Sequence, residues 1–318
     1  MSNHDLLTSS ISKQVSHKNG MTKMEGTEVV FKTTAYVFVT IFALMCFYPL
    51  IFTLSAAISN GQALIDGKVV LYPVGIQFDA FKEVIQNKTF WIAYSNTFFV
   101  TLYGTVYCMG LSILGAYALS KKRLTGVKLF NFLLIFTMWF SAGVIPMHLN
   151  FQDTAKILKN IGITDQKWLI ILAMGMSAYN VILLRNAFES VPKEIEEAAI
   201  VDGASDTQIM SKIYVPMSKA TVATVSLFYG ISRWNGYFWA MKEVSNTYDL
   251  PLQVVIQTQI SKVQEEISDT GAVLINGTYT AQNTIYAMII LAIIPIIIIY
   301  PFIQKYFAAG VNLGGVKE

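Results

Sequence analysis

The chain has 318 residues, of which 54% belong to the hydrophobic set and only 14% are charged. Because soluble globular domains carry about 25% charged residues, this composition argues against a soluble enzyme and indicates a membrane protein. The net charge of +3 is too balanced for a nucleic-acid-binding protein, which concentrates basic residues on one face.

Residues 1–32 are polar, and they are too long and too polar for a secretory signal peptide. We expect them to form a cytoplasmic N-terminal segment that stays in the mature protein. The chain has two cysteines, Cys46 and Cys108, and both fall inside apolar stretches. We interpret them as small buried thiols, because a disulfide would have to join two helices embedded in lipid.

Six apolar runs follow, each near the roughly 20 residues that a helix needs to cross a bilayer core. They predict an all-α integral membrane protein, with a six-span domain over residues 33–307 and a cytoplasmic tail over residues 308–318. The fourth run is the shortest and contains Asn180, so a buried helix of the soluble type stays open there. The runs are 33–57, 91–119, 127–149, 168–184, 217–240 and 284–307.

The lysines and arginines of short loops collect on the cytoplasmic side of a membrane. With an inside N-terminus, the inside segments carry 14 of these residues and the outside segments carry 8. Both termini are therefore expected to be cytoplasmic. Of the two longer outside connections, 58–90 and 241–283, the second shows Leu252, Ile256 and Val263 at helical spacing. That helix either lies on the outer face as an amphipathic element or covers the surface of the bundle.

Residues 190–216, between the fourth and fifth spans, predict a first short helix. Pro192 presets the backbone at its start, and an acidic cluster follows where the helix dipole favours negative charge. Gly203 can end this helix in the left-handed conformation. The acidic cluster consists of Glu194, Glu196 and Glu197.

A second short helix is predicted to follow directly. Ser205 and Gln208 have the spacing of a capping box, and Pro216 closes the helix. Such a cytoplasmic pair of helices can insert an apolar face into a soluble partner or rest on lipid. The excess of acidic over basic residues argues against lipid, but composition alone leaves both interpretations open.

The same segment resembles the EAA loop of type I ABC importer permeases. The matching residues are Glu197-Ala198-Ala199, three residues, Gly203, nine residues, Ile213, one residue and Val215-Pro216. The resemblance extends over nearly the whole chain, supported by residues 140–146, 233–235 and 300–307. It narrows to carbohydrate permeases of the maltose-permease type, closest to those for oligosaccharides and polysaccharide fragments. Val215 departs from the leucine of the family pattern, and Ala142 stands where relatives often have glycine.

The resemblance implies a type I permease fold in which residues 190–216, here called the coupling segment, dock on an ATPase subunit. It implies a second homologous permease subunit, two nucleotide-binding ATPase subunits that use ATP and Mg, and an extracytoplasmic sugar-binding protein. The complex would import an oligosaccharide across the lipid membrane of a prokaryotic cell. The docking residues carried over are Glu197, Ala198, Ala199, Asp202, Gly203, Ile213 and Pro216.

The sequence contains no G-x-x-x-x-G-K-[ST] phosphate loop. ATP hydrolysis is therefore expected from separate subunits, and this chain is expected to be a non-catalytic permease without a cofactor of its own. The three histidines lack a paired cysteine or carboxylate at metal-ligand spacing, so no metal site is expected. We assign His148 to an outer helix end.

Arg233 lies about 25 Å from the cytoplasmic end of the fifth span, where a charge is costly. It either reaches outward to the lipid headgroups or faces the translocation path. In the second case Trp234 and Asn235 would accompany it, because an aromatic face and an amide can engage a sugar. Other polar residues in the spans, such as Asn96 and Tyr229, are interpreted mostly as hydrogen-bonding groups between helices.

The sequence thus predicts a transmembrane subunit of an ATP-driven oligosaccharide importer that works by alternating access. A type I importer for a non-sugar solute, such as an amino acid, phosphate or a peptide, is the first alternative. An ion-coupled secondary transporter would normally carry paired carboxylates in its spans, and the six runs contain no Asp or Glu. A membrane-bound enzyme is disfavoured, because no pair of buried nucleophile and base is identified.

Overall fold

A computed structural model describes residues 26–140 and 142–315. The segment predicted at residues 1–32 and the tail predicted at residues 308–318 therefore lie partly outside the described residues, as does Ser141. The chain divides into two units, Met1–Phe52 and Thr53–Glu318, which are described separately.

Helices form almost all of the regular structure among the described residues. The first unit contains most of α1 (Gly26–Ala57), which includes Pro49 and the exposed Cys46. The prediction that both cysteines are buried is therefore wrong for Cys46. The second unit contains α2 (Gly61–Ile65), α3 (Asp79–Gln86), α4 (Lys88–Ser120), α5 (Val127–Trp139), α6 (Val144–Asn160), α7 (Lys167–Ala173), α8 (Ala178–Glu189), α9 (Lys193–Val201), α10 (Asp206–Ile209), a π-helical turn (Met210–Tyr214), α11 (Val215–Met217), α12 (Lys219–Trp234), α13 (Phe238–Glu243), a 3₁₀ turn (Thr247–Asp249), α14 (Leu252–Thr270), β1 (Leu274–Ile275), β2 (Tyr279–Thr280) and α15 (Ala281–Gly315).

Three helices, α1, α4 and α15, are long and apolar enough to span a bilayer. Two further spans arise if α5 with α6, and α7 with α8, each cross as one bent pair. The predicted fifth span, residues 217–240, corresponds mainly to α12, which has only 16 residues. The third, fourth and fifth predicted spans are therefore not formed by single long helices among the described residues.

Glycines explain the interruptions in the third and fourth runs. Gly143 precedes α6 with φ +86°, and Gly175 precedes α8 with φ +58°. Only glycine adopts positive φ readily, and a regular helix cannot continue through a residue in that conformation. The pair α7 and α8 is bent by 57°. Because lipid cannot hydrogen-bond to backbone groups freed at such a break, the protein itself must supply their partners.

Helix α4 lies at the centre of the second unit and packs against α7, α8 and α12. The hydroxyls of Ser112 and Tyr229 are 2.6 Å apart, which joins α4 to α12. Tyr229 Oη also accepts a hydrogen bond from the Ser177 N–H at 2.9 Å. Asn96 on α4 donates to the backbone oxygens of Tyr248 and Leu250. Asn96 and Tyr229 thus make contacts between elements, as the sequence predicts.

The predicted outer connections fold against one end of this bundle. In α14, the buried side chains Leu252, Ile256 and Val263 have the spacing expected from the sequence. Helix α14 packs on α4 and α15, so it covers the surface of the bundle. His148 lies in the second turn of α6, with its Nδ1 2.6 Å from Glu243 Oε1.

Gly61 at the start of α2 lies directly against the β-hairpin. A Cβ atom at this position would lie 2.7 Å from Leu274 Cδ2 and 2.9 Å from the Tyr279 backbone. Only glycine fits this contact, because real Cβ atoms do not approach backbone so closely.

Candidate functional site

The coupling segment folds as the two short helices that the sequence predicts. Helix α9 begins after Pro192, and Gly203 follows it with φ +81°. The Ala204 N–H donates to Ala199 O at 2.9 Å, which satisfies a carbonyl at the end of the helix. Ser205 and Gln208 form a reciprocal capping box at the start of α10. The second helix continues through the π-helical turn into α11 and ends at Met217, one residue after Pro216.

The residues predicted to dock on a partner fall into an exposed group and a supporting group. Ala199 and Ile213 are half-buried and pack against the chain's own apolar core, so they support the coupling segment from within. The exposed residues are Glu197, Ala198, Asp202, Gly203 and Pro216. Ile213, carried over as a docking residue, packs against this core with part of its side chain, and its role in docking stays a prediction.

Three apolar side chains of α9 were missed by the sequence argument. Ile195, Ile200 and Val201 are exposed, Val201 at 87%. No residue of α9 is buried. Exposed apolar side chains on a short helix are a feature that a partner's groove can bind.

A buried ion pair fastens the coupling segment to the end of α4. Lys121 Nζ donates to Glu196 Oε1 at 2.7 Å, and the two side chains are only 8% and 15% exposed. Tyr214 Oη donates to the other carboxylate oxygen, Oε2, at 2.5 Å. The Lys121 ammonium lies 4.3 Å from the ring centroid of Tyr117 and 3.8 Å from that of Tyr214.

The pKa values of this cluster are displaced by burial and by charge. Burial alone would raise the pKa of Glu196, but the hydrogen bonds from Lys121 and Tyr214 and the charge of Lys121 outweigh it and hold that pKa below 4.5. Burial lowers the pKa of Lys121, in spite of its bond to Glu196. Burial and the bond to the carboxylate raise the pKa of Tyr214. At neutral pH Glu196 is therefore ionised and the Tyr214 hydroxyl keeps its proton.

A second, exposed ion pair joins the same two parts of the chain. Arg123 Nη2 donates to Asp206 Oδ1 at 2.5 Å, with more than half of each side chain exposed. Beside both pairs lies an open cleft of about 470 Å³, lined by basic and acidic side chains including Lys193 and Glu197. Exposed pairs contribute little to stability, so the Lys121 pair is the firmer attachment.

Arg233 is buried inside the protein, with 6% of its surface exposed. Its guanidinium donates to Cys108 Sγ at 2.9 Å, to Gly175 O at 3.1 Å and to Ile170 O at 3.4 Å. These oxygens belong to the end of α7 and the break after it, where carbonyls lack helical partners and a positive charge is favourable. The alternative in which Arg233 reaches out to the lipid headgroups does not fit this burial.

The three residues predicted to face the translocation path are separated in the structure. Arg233 and Asn235 line a pocket of about 260 Å³. Trp234 points away from it and packs edge-to-face on Tyr94, with ring centroids 5.9 Å apart. The aromatic side chains of the pocket are Tyr237, Phe238 and Trp239. Trp239, five residues after Trp234, lines this pocket, because the chain turns at Asn235–Tyr237 after α12 ends.

The chain is similar over most of its length to known transport proteins. A family profile described as a binding-protein-dependent transport system inner membrane component matches residues 108–313. Over 292 residues the chain is 35% identical to the polygalacturonan/rhamnogalacturonan transport system permease protein YtcP of Bacillus subtilis (strain 168), covering 91% of this chain and 98% of that protein. It is 27% identical over 290 residues to the maltodextrin transport system permease protein MdxG of the same organism, covering 90% and 96%.

A solved structure shows the same architecture. It is a crystal structure of a bacterial ABC transporter involved in the import of the acidic polysaccharide alginate. One of its chains matches with a TM-score of 0.77 and 40% sequence identity, over 89% of this chain and 99% of that chain. The fold is thus that of an all-α ABC importer permease, as the sequence predicts.

Proposed function

Because the chain belongs to the family of binding-protein-dependent transport system inner membrane components, we propose that it is one of two transmembrane subunits of an ATP-driven oligosaccharide importer. The observation that carries this function is the exposed surface of the coupling segment. There, Ile200 and Val201 are exposed on the same helix as the acidic Glu197. The ion pair of Lys121 with Glu196 holds the segment against the end of α4. An ATPase subunit can bind such a surface and move the helices attached to it.

The other parts of the importer are supplied by separate chains. A second homologous permease completes the path, two ATPase subunits bind ATP and Mg, and an extracytoplasmic sugar-binding protein delivers the substrate. The sequence supports this division of labour because it lacks a phosphate loop of its own. Both termini lie in the cytoplasm of a prokaryotic cell, as the excess of basic residues on that side indicates.

The substrate class is carbohydrate, with acidic oligosaccharides as the first candidates. Relatives are named for polygalacturonan and rhamnogalacturonan and for alginate, which is an acidic polysaccharide. The pocket lined by Asn235 and Trp239 offers an amide and an aromatic face, which suit a sugar. Arg233 beside it supplies a positive charge, and among the residues that the structure describes no carboxylate forms an ion pair with it.

Co-purification tests the proposal most directly. The tagged chain, extracted in mild detergent from its native membrane, is expected to bring with it a second permease and an ATPase. Reconstituted with the sugar-binding protein, this complex should import uronate oligosaccharides at the expense of ATP. Recovery of the chain alone, as a stable homo-oligomer, would reject the importer and favour a secondary transporter.

The docking role of the coupling segment is tested by Gly203→Asp, with Gly271→Asp as its matched control. Both glycines have positive φ, near +80°, and open space around the missing Cβ, so the backbone strain is similar. Only Gly203 lies on the proposed docking surface. We expect Gly203→Asp to lower sugar-stimulated ATP hydrolysis about tenfold, the scale of a disrupted interface contact near 1.4 kcal/mol. Equal activities of the two variants would reject the docking role.

The substrate pocket is tested separately by Asn235→Ala, with Gln264→Ala on the exposed face of α14 as control. We expect the concentration of oligosaccharide that half-saturates import to rise about fivefold in Asn235→Ala alone, because one hydrogen bond contributes about 1 kcal/mol. Unchanged import of every uronate oligosaccharide, in a complex that assembles normally, would remove Asn235 from the path.

A further inference from the structure

We propose that Lys121 is a positioning residue that fixes the coupling segment to the end of α4, so that both move as one body when the ATPase subunits close. The inference rests on the proposed function, because it assigns a joint within the same importer. It concerns how movement of the ATPase subunits is transmitted to the transmembrane helices of this chain.

Three separate parts of the chain meet at Lys121. The lysine itself caps the end of α4, Glu196 comes from α9, and Tyr214 comes from the π-helical turn. Glu196 receives one hydrogen bond from Lys121 and a second from Tyr214, one on each carboxylate oxygen. A carboxylate held at both oxygens cannot rotate away from its partners without breaking a bond.

The ammonium of Lys121 is held on its other sides by aromatic rings. Tyr117 and Tyr214 pack edge-to-face with centroids 5.2 Å apart, and the ammonium lies over both rings. Cation–π contacts strengthen when water is excluded, and Lys121 is only 8% exposed. The Lys121 ammonium thus contacts the Glu196 carboxylate and two aromatic rings at the same time.

The π-helical turn explains how Tyr214 reaches this position. A π turn contains one residue more than an α turn, which rotates the side chains that follow it around the helix axis. Ile209 and Tyr214, at either end of the turn, are both buried in the same apolar core, together with Phe188 of α8. Continuation of a regular α-helix would set these two residues about 140° apart around the axis.

Helix α4 can carry a displacement away from this joint. It is unbroken for 33 residues, which makes it about 50 Å long. Near its far end Asn96 bonds to the backbone before α14, and Thr97 Oγ1 accepts a hydrogen bond from the Leu252 N–H at 2.7 Å. A movement of the coupling segment that is fixed at Lys121 therefore reaches the outer connections through one rigid element.

The test uses Lys121→Met in the complete transporter, reconstituted in proteoliposomes with its sugar-binding protein. Methionine keeps the volume but removes the charge. We expect the complex to assemble and to keep its basal ATP hydrolysis, while the ATP hydrolysed per imported oligosaccharide rises about fivefold, the scale of the interaction energy of two residues in contact. Lys122→Met, which changes the exposed neighbour, should keep the wild-type ratio.

Rescue by a conservative variant separates positioning from simple folding. In Lys121→Arg the guanidinium can still pair with Glu196 and stack on the rings, so the ratio should return to within about twofold of the wild type. If Lys121→Met does not assemble, Tyr214→Phe is measured, because it keeps the ring and loses only the hydrogen bond to Glu196; a rise of about twofold to fivefold is expected.

The outcomes distinguish this inference from the proposed function. A wild-type complex that imports no oligosaccharide would overturn the proposed function itself. A wild-type complex that couples import to ATP hydrolysis, together with Lys121→Met or Tyr214→Phe complexes of unchanged ratio, would overturn only the role of Lys121. The role is supported if the ratio rises in Lys121→Met and in Tyr214→Phe and returns in Lys121→Arg.

Discussion

Two cationic side chains hold α4, one at its end and one near its middle. The groups that accept their hydrogen bonds differ. At its end, Lys121 pairs with the carboxylate of Glu196. Near its middle, Gly104 makes room for Arg233 of α12, which bonds to backbone carbonyls and to a thiol. A carboxylate titrates and can exchange its partner for water, whereas a backbone carbonyl cannot titrate. The contact at the end of α4 can therefore be modulated by pH, while the backbone partners of Arg233 at its middle cannot be.

The largest expected effect comes from breaking the contact at the middle of α4. Arg233→Met removes the guanidinium donor from the carbonyls of Ile170 and Gly175 and leaves Gly175 O only the weak S–H donor of Cys108. We expect this to lower the free energy of unfolding by about 3 kcal/mol. The measurement is an unfolding titration of the purified complex in detergent. Lys219→Met, which removes an exposed cation from the same helix, is the control and should change stability by less than about 0.5 kcal/mol. Equal effects of the two variants would show that Arg233 is not a structural cation.

A second pair of variants tests the space beside Arg233. An Ala Cβ at Gly104 would lie 3.3 Å from Arg233 Cδ and Nε, whereas nothing lies within 4 Å at Gly110 of the same helix. Gly110→Ala should stabilise the protein by up to about 1 kcal/mol, through helix propensity. Gly104→Ala should instead lower stability by about 1 kcal/mol, because its Cβ crowds Arg233, which is held by its hydrogen bonds. The two variants should therefore differ by about 2 kcal/mol. The same unfolding titration measures both, and identical stabilities would mean that Arg233 can move.

The smallest expected effect is a pH dependence of stability that comes from Glu196 and has no counterpart at Arg233. The pKa of Glu196 is lowered in the folded protein, so its stabilising contribution is fully present above the ordinary value of 4.5 and is lost as the pH falls through the lowered value. The stability difference between the wild type and Glu196→Gln should therefore be about 1 kcal/mol at pH 7 and shrink under acid. Thermal unfolding at several pH values measures it. Glu265→Gln, on the exposed face of α14, should show no comparable dependence.

The coupling segment was predictable from sequence because its determinants are local. Gly203 ends α9, and Ser205 caps α10 through a residue only three positions away. Such contacts depend on spacing along the chain, so a single sequence reveals them. The EAA resemblance then supplied a functional meaning that spacing alone left open.

The contacts of α4 were not predictable, because their partners are distant in sequence. Lys121 and Glu196 are 75 positions apart, and Arg233 and Cys108 are 125 apart. From sequence, Lys121 counted only as a basic residue on the cytoplasmic side. The break at Gly175 was likewise hidden, because hydropathy over residues 168–184 is high on both sides of it. Without that break there was no reason to expect free carbonyls, nor a buried arginine to bind them.

Cys108 gives the chain a native chemical reporter. Its thiol is fully buried, donates to Gly175 O and accepts from Arg233. An alkylating reagent can modify this sulfur only after α4, α12 and the break after α7 have separated, since all three surround it. The rate of Cys108 alkylation in each nucleotide state therefore reports how far the transport cycle opens the middle of the bundle, without any introduced label.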